Sequence, residues 1–401
     1  MAKDGKFATS PKGSFSFPYG AAALTRRLAD ADAQGKKAKE HLQDEIRSNL
    51  ESAYRELEIP SSLREGAEKD GGFTLYLSGG GFRGWGYLLM SRSRISPYPI
   101  PIINGFQVSK EEFQSVVEIQ HIAAHRETFR VSKRRAAQVP AVAFLINALT
   151  LAIPNIKQIR FCQGGVREGY LFSSLPNEIR AEDPLVAASA VYARPAARPI
   201  AQLLHNAIPA TTKSHEAPTS LMADPVLRAT LASLMYLHAS CPKESASLAA
   251  LYTPLTGELA SVHGISHHSR ALLALLLCQR WSGDLAPPHD DLQDCLRRLV
   301  SPEEAWWCMY LGKVAALIGE VYPAGVLGGG ERIGFHASWR DGLGKHGHKV
   351  GIGLQIFVSP QDEMTGDTVL RDVMDAIEDV GKKKHHVAGY GLAVEVERAV
   401  R

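Results

Sequence analysis

Two apolar stretches of this chain run straight into glycine-rich turns, one at residues 77–84 and the other at residues 162–169. The stretches themselves, residues 73–77 and 156–162, have the length and apolar content of buried strands. A strand followed by a glycine turn and a helix is the usual corner of an α/β sheet. Parallel strands of this kind place a ligand beyond their carboxyl ends, so the two turns predict where function lies.

The two turns also contain arginines. Glycine lets the backbone approach a phosphate group, and a guanidinium such as that of Arg83 or Arg167 pairs well with phosphate oxygens. We therefore predict a nucleotide- or phosphate-binding set, which comprises Ser78, Gly79, Gly80, Gly81, Arg83, Gly84, Gly164, Gly165, Arg167 and Glu168. Glu168 is expected to orient an arginine, because its carboxylate would repel an anionic ligand. The alternative is that the glycines serve only as corners of the fold.

Weaker patterns organise the rest of the first half. They predict a short strand at 15–17, a charged helical segment at 21–57, a polar linker at 61–72 and a buried helix at 141–153. Ser109 and Glu112 predict a capping box for a helix that carries Phe113, Val116 and Val117.

The texture changes after Pro184. Residues 184–322 are rich in alanine and leucine and predict an all-α domain. A small α+β tail follows, with strands at 332–339, 350–358 and 391–396 and a helix at 368–380. The predicted domains are therefore residues 1–183, 184–325 and 326–401.

Charge and cysteine content exclude several classes of protein. The 45 Lys+Arg against 42 Asp+Glu leave a net charge of +3, too weak to indicate a nucleic-acid partner. Five cysteines without a CxxC pair favour a reducing compartment over a zinc ribbon or a disulfide scaffold. No apolar stretch reaches the ~20 residues of a membrane span, and no secretory signal is visible. A cytoplasmic protein without a membrane partner is expected.

The wording of these segments resembles the exopolyphosphatase/guanosine-pentaphosphate phosphatase (Ppx/GppA) family. The resemblance rests on FPYGAAALT at 17–25, LSGGGFRGWGYLLMS at 77–91, Arg134-Arg135-Ala136 and CQGGVREGYLF at 162–172. It is tight over residues 14–170 and looser beyond, and it is nearest to the fungal retrograde-regulation branch. It implies an actin-like (ribonuclease H-like ATPase) α/β subdomain, then an all-α HD-like domain and the tail. It also implies ATP or another phosphate-rich ligand and a signalling protein as partner.

Parts of the family pattern are missing from residues 1–20. Members begin with a subdomain that carries a phosphate loop and a catalytic glutamate, and a second phosphate loop follows. The resemblance therefore implies a truncated actin-like subdomain, with no catalytic residue here and magnesium bound only with the absent half. An uncovered strand edge would then favour a homodimer or aggregation. Two hypotheses stay open: a ligand-responsive regulatory protein, or a phosphoanhydride hydrolase acting on polyphosphate or guanosine pentaphosphate.

Histidines of the helical region are the remaining candidates for chemistry. His263 and His267 have a helical spacing, but Gly264 interrupts them, and Pro287-Pro288 are expected to hold His289-Asp290-Asp291 in a loop. A degenerate HD-like fold without a metal is therefore expected. Two smaller features receive structural interpretations, residues 382–386 as a solvated basic loop and Trp306-Trp307 as core. Cys162 has no visible base beside it and is not expected to act as a nucleophile.

Overall fold

A computed structural model describes residues 10, 12–115, 136–212, 224–328, 330–344, 347–359 and 367–400. The chain divides into two compact units. The first comprises Met1–Tyr98 and Ile102–Glu182, and the second comprises Pro99–Pro101 and Asp183–Arg401. Both glycine turns belong to the first unit. Val116, Val117 and Arg134-Arg135 lie outside the described residues.

The first unit is an α/β structure. Its elements are α1 (Ala21–Gln34), α2 (Lys36–Glu56), α3 (Ser61–Lys69), β1 (Phe73–Leu77), α4 (Gly80–Ser91), β2 (Gln107–Ser109), α5 (Lys110–Phe113), α6 (Val139–Ala152), β3 (Ile156–Phe161), α7 (Val166–Ser173) and α8 (Asn177–Ala181). The sheet order is β1-β3-β2, with β1 parallel and β2 antiparallel to β3. The strands predicted before the glycine turns and the capping box of Ser109 and Glu112 are confirmed.

Helix α6 joins two cores because its sequence is apolar on every side. Val142 and Ile146 pack into the core beneath the sheet, together with Phe161. Phe144 and Ala148 face the opposite way, into the core that α1 and α2 share. The helix thereby fixes the α1–α2 pair relative to the carboxyl edge of the sheet.

Three predictions for this unit are wrong. Residues 15–17 form no strand, and Phe17 instead stacks on Tyr19 with 5.6 Å between ring centroids. The predicted linker 61–72 contains helix α3, which the apolar pattern missed because Ala67 is its one buried residue. The predicted helical segment 21–57 is two helices, since Gly35 adopts a φ of +100° between α1 and α2.

The second unit combines helices with a second sheet. Its elements are α9 (Pro184–Ser189), α10 (Ala197–Asn206), α11 (Pro225–Leu234), α12 (Lys243–Tyr252), α13 (His267–Arg280), α14 (His289–Arg297), α15 (Pro302–Val321), β4 (Ile333–Leu343), β5 (Lys349–Val358), α16 (Asp367–Asp379) and β6 (Ala393–Val400). Strand β5 is central, antiparallel to β4 and parallel to β6. The predicted helical run and the strands and helix of the tail are confirmed at these bounds.

A buried arginine organises the helical part. Arg270 of α13 is fully buried, and its guanidinium donates to the carbonyl oxygens of Pro254, Leu259 and Val262 at 2.6, 2.8 and 2.7 Å. Burial lowers the pKa of Arg270 to about 10. Because the acceptors lie on one irregular segment, this side chain holds that segment against α13.

Candidate functional site

The two glycine turns leave the same edge of the first sheet. Leu77, the last residue of β1, is the register partner of Phe161, the last residue of β3. The N–H of Cys162 donates to the carbonyl oxygen of Leu77 at 2.8 Å, which extends the pairing by one residue. The structure therefore brings the two predicted halves of the site together.

The first turn is tighter than the sequence indicated, because α4 begins at Gly80. Gly79 has a φ of +104°, in the left-handed region that favours glycine. A Cβ on Gly81 would meet Cγ2 of Val142 at 3.0 Å, whereas a Cβ on Gly80 would meet no heavy atom within 4 Å. Gly81 is thus required by packing, while Gly80 faces open space. Gly84 also has open space around it.

The second turn has the same design. Gly164 has a φ of +111°, and α7 begins two residues later at Val166. The carboxylate of Glu168 accepts a hydrogen bond from the N–H of Gly165 at 2.8 Å. This bond satisfies one of the free N–H groups at the start of α7, so Glu168 has a capping role.

Both site arginines lie in first turns of helices rather than in the loops. Arg83 of α4 is half-buried, and its Nε is buried without a hydrogen-bond partner in the part of the chain that the structure describes. Arg167 of α7 is exposed. A buried guanidinium N–H without an acceptor is costly, and an anion at this edge would supply one.

A cavity of about 190 Å³ opens beside the first turn. Its lining residues are Tyr19, Gly20, Ala21, Ser78, Gly79, Gly80, Gly81, Phe82, Val142 and Leu145. The segment around Tyr19 therefore reaches the site, although the predicted set did not include it. Its position directly before an alanine-rich helix was the available signal, because it predicts a helix start but says nothing of what lies opposite.

A second feature that the sequence did not reveal lies just below the turns. Arg160 of β3 and Tyr76 of β1 are register partners, and the guanidinium carbon of Arg160 is 5.8 Å from the centre of the Tyr76 ring. Two strands 83 residues apart supply this pair, so only the register of the sheet reveals it. Burial raises the pKa of the nearby Cys162 thiol, while Arg160 opposes that shift. A raised pKa agrees with the expectation that Cys162 is a poor nucleophile.

The histidines of the second unit are spread over separate elements. His267 begins α13, His263 lies before it, and Gly264 between them has a φ of +83°. His268 contacts the carboxylate of Glu304 at 3.0 Å. No group of three or more His, Cys, Asp and Glu side chains that could hold a metal ion occurs among the described residues.

One detail of that region was predicted wrongly. His289, Asp290 and Asp291 are the first three residues of α14 and do not lie in a loop. A proline before the first turn of a helix loses no hydrogen bond, so Pro287-Pro288 allow the helix to start immediately.

The two smaller features have structural roles. Trp306 and Trp307 are fully buried in the core of the second unit. In the basic loop, Lys382 and Lys384 both pair with Asp379, which offsets part of the positive charge.

Three similarities to known proteins bear on this geometry. Residues 7–178 match the Ppx/GppA phosphatase family, and residues 183–401 match the RTG2 C-terminal domain. The chain is 38% identical over 326 residues to Retrograde regulation protein 2 of Saccharomyces cerevisiae, a match that covers 77% of this chain and 53% of the relative. The chain thus spans about half the length of that relative. No helix in the described ranges is long and apolar enough to cross a membrane.

Proposed function

Since the chain belongs to the family defined by the RTG2 C-terminal domain and carries a Ppx/GppA domain before it, we propose that it is a Ppx/GppA-like regulatory protein of retrograde regulation. In this proposal it reports metabolic or mitochondrial state in the cytoplasm through a signalling protein partner. Its ligand is ATP or another phosphate-rich molecule, bound at the glycine turns. Free thiols on all five cysteines support a reducing compartment.

The observation that carries the proposal is the shared edge of the two turns. Two helix N-termini, those of α4 and α7, begin beyond adjacent parallel strands, and each contributes an arginine in its first turn. Helix N-termini and guanidinium groups both favour anions. A phosphate group is the anion best suited to several N–H donors at once.

The size of the cavity limits what it can hold. Sites for drug-sized molecules usually have 300–1,000 Å³, whereas the cavity beside Gly80 has about 190 Å³. It suits one part of a nucleotide, with the remainder lying over the exposed edge near Arg167. An affinity in the high-micromolar range is expected, because few contacts offset the cost of association.

A hydrolase is the weaker proposal on the residues present. Phosphoanhydride hydrolysis needs a carboxylate to position water and a magnesium site. Of the ten candidate residues, Glu168 alone has a carboxylate, and that carboxylate is bonded to the N–H of Gly165. These ten residues therefore do not fit a magnesium site. We expect no release of phosphate from ATP or polyphosphate above background.

Calorimetry with ATP tests the site. Arg167→Ala should remove a charge-assisted contact worth about 1.5–3 kcal/mol, which is a roughly 10- to 150-fold loss of affinity. Arg64→Ala is the matched control, because Arg64 is an exposed helical arginine of the same unit outside the site. Equal ATP binding by the parent and by both variants would refute the proposed ligand site. Magnesium-dependent phosphate release that Arg167→Ala abolishes would favour the hydrolase instead.

A further inference from the structure

The segment after the second glycine turn exposes an unusual amount of apolar surface. No residue of α7 or α8 is buried. Val166, Tyr170 and Leu171 are 90%, 73% and 64% exposed. Together with three more exposed side chains they form what we term the apolar patch, which consists of Val166, Tyr170, Leu171, Phe172, Leu175 and Ile179.

The area of the patch is large for a protein that stays monomeric. A large aromatic side chain has about 150–250 Å² of surface, and on average more than half of each patch side chain is exposed. The six side chains together expose on the order of 600 Å². Monomers rarely expose a contiguous patch larger than about 300–600 Å², and larger patches mark interaction sites.

Charges around the patch restrict the kind of partner. Arg167 and Arg180 lie among its residues together with Glu178 and Glu182, so both signs are present. A membrane surface is disfavoured, because interfacial helices carry an excess of lysine and arginine. A mixed rim is instead complementary to itself, since rotation about a two-fold axis can place each sign opposite the other.

We propose that the apolar patch is a two-fold symmetric interface through which two copies of this chain associate. Two patches would bury roughly 1,200 Å², the lower end of the range for specific interfaces. The apolar composition fits as well, because homodimer interfaces are more apolar than other protein contacts. A dimer with a micromolar dissociation constant is expected for an interface of this size.

Sedimentation velocity of the full chain between about 1 and 100 µM tests the proposal. The parent should shift from monomer to dimer over that range, and the shift should saturate at the dimer. Leu171→Glu and Tyr170→Glu should each raise the dissociation constant at least tenfold, because they place a charge in the patch. Val191→Glu is the control, since Val191 is 80% exposed but lies in the second unit.

Four outcomes would overturn the proposal. These are a parent that stays monomeric at 100 µM, unsaturating growth beyond the dimer, an equal effect of Val191→Glu, and a dimer that both patch variants leave intact. Circular dichroism separates misfolding from loss of contact, and both patch variants should keep the parent spectrum. If binding to phosphatidylcholine–phosphatidylserine vesicles replaces dimer formation, the partner is a membrane and the dimer is refuted.

Discussion

Alanine at Gly81 should destabilise the first unit, whereas alanine at the neighbouring Gly80 should stabilise it. The added Cβ at Gly81 would lie 3.0 Å from Cγ2 of Val142 and 3.2 Å from Cβ of Ala21. The same atom on Gly80 would meet nothing within 4 Å. The two variants therefore separate a glycine needed for packing from one that leaves room for a ligand.

The size of each effect follows from the geometry. Neither glycine has a positive φ, so alanine can adopt the helical backbone at both positions. Alanine then gains about 0.4–1 kcal/mol, because it restricts the unfolded chain. At Gly81 this gain is opposed by overpacking, which typically costs about 1–3 kcal/mol. The net expectation is a gain of about 0.4–1 kcal/mol for Gly80→Ala and a loss of about 0.5–2 kcal/mol for Gly81→Ala.

Hydrogen exchange measured by mass spectrometry at increasing urea concentration is the appropriate assay. Peptides from β1 and β3 report the free energy of unfolding of the first unit separately from the second. Changes of the same sign in both variants, or a Gly81→Ala protein as stable as the parent, would refute the packing argument. If Gly80→Ala also binds ATP less tightly while its stability rises, the open space at Gly80 belongs to the ligand.

Other predictions concern the second unit. Arg270→Met should cost about 3–5 kcal/mol of unfolding free energy in urea, because several buried carbonyl groups lose a charged donor. Ser301→Ala should cost about 1 kcal/mol in a thermal melt, because Ser301 caps α15 by accepting from the N–H of Glu304 at 3.1 Å. Burial lowers the pKa of His238, so the unfolded chain binds a proton first as pH falls. Stability should therefore decline below about pH 6.5, and His238→Gln should flatten that decline in urea titrations at several pH values.

Sequence patterns located the first sheet well for a physical reason. Strands β1 and β3 are short apolar runs bounded by glycine, so their burial is visible in the residue types themselves. Helix α3 has mostly polar residues and contributes little to a core, which leaves no periodic signal to detect. The predicted strand at 15–17 failed because alternation alone does not supply a partner strand.

The candidate site was predictable only in part. The glycines and arginines were visible because each turn is continuous in the sequence. The cavity wall formed by Tyr19 and Val142, and the pairing of Tyr76 with Arg160, depend on long-range packing and strand register. Register is decided by the whole sheet, and a local window contains no information about it.

The order of the first sheet also affects how the chain reaches its folded state. Phe73 pairs with Ile156, so β1 and β3 meet only after 83 intervening positions have been made. At about 5–20 residues per second of synthesis, β1 waits roughly 4–16 s for its partner. Helices α1 and α2 can pair earlier, since their contacts are local. The edge that carries both glycine turns forms late, and until then β1 is an unpaired apolar strand that a chaperone would bind.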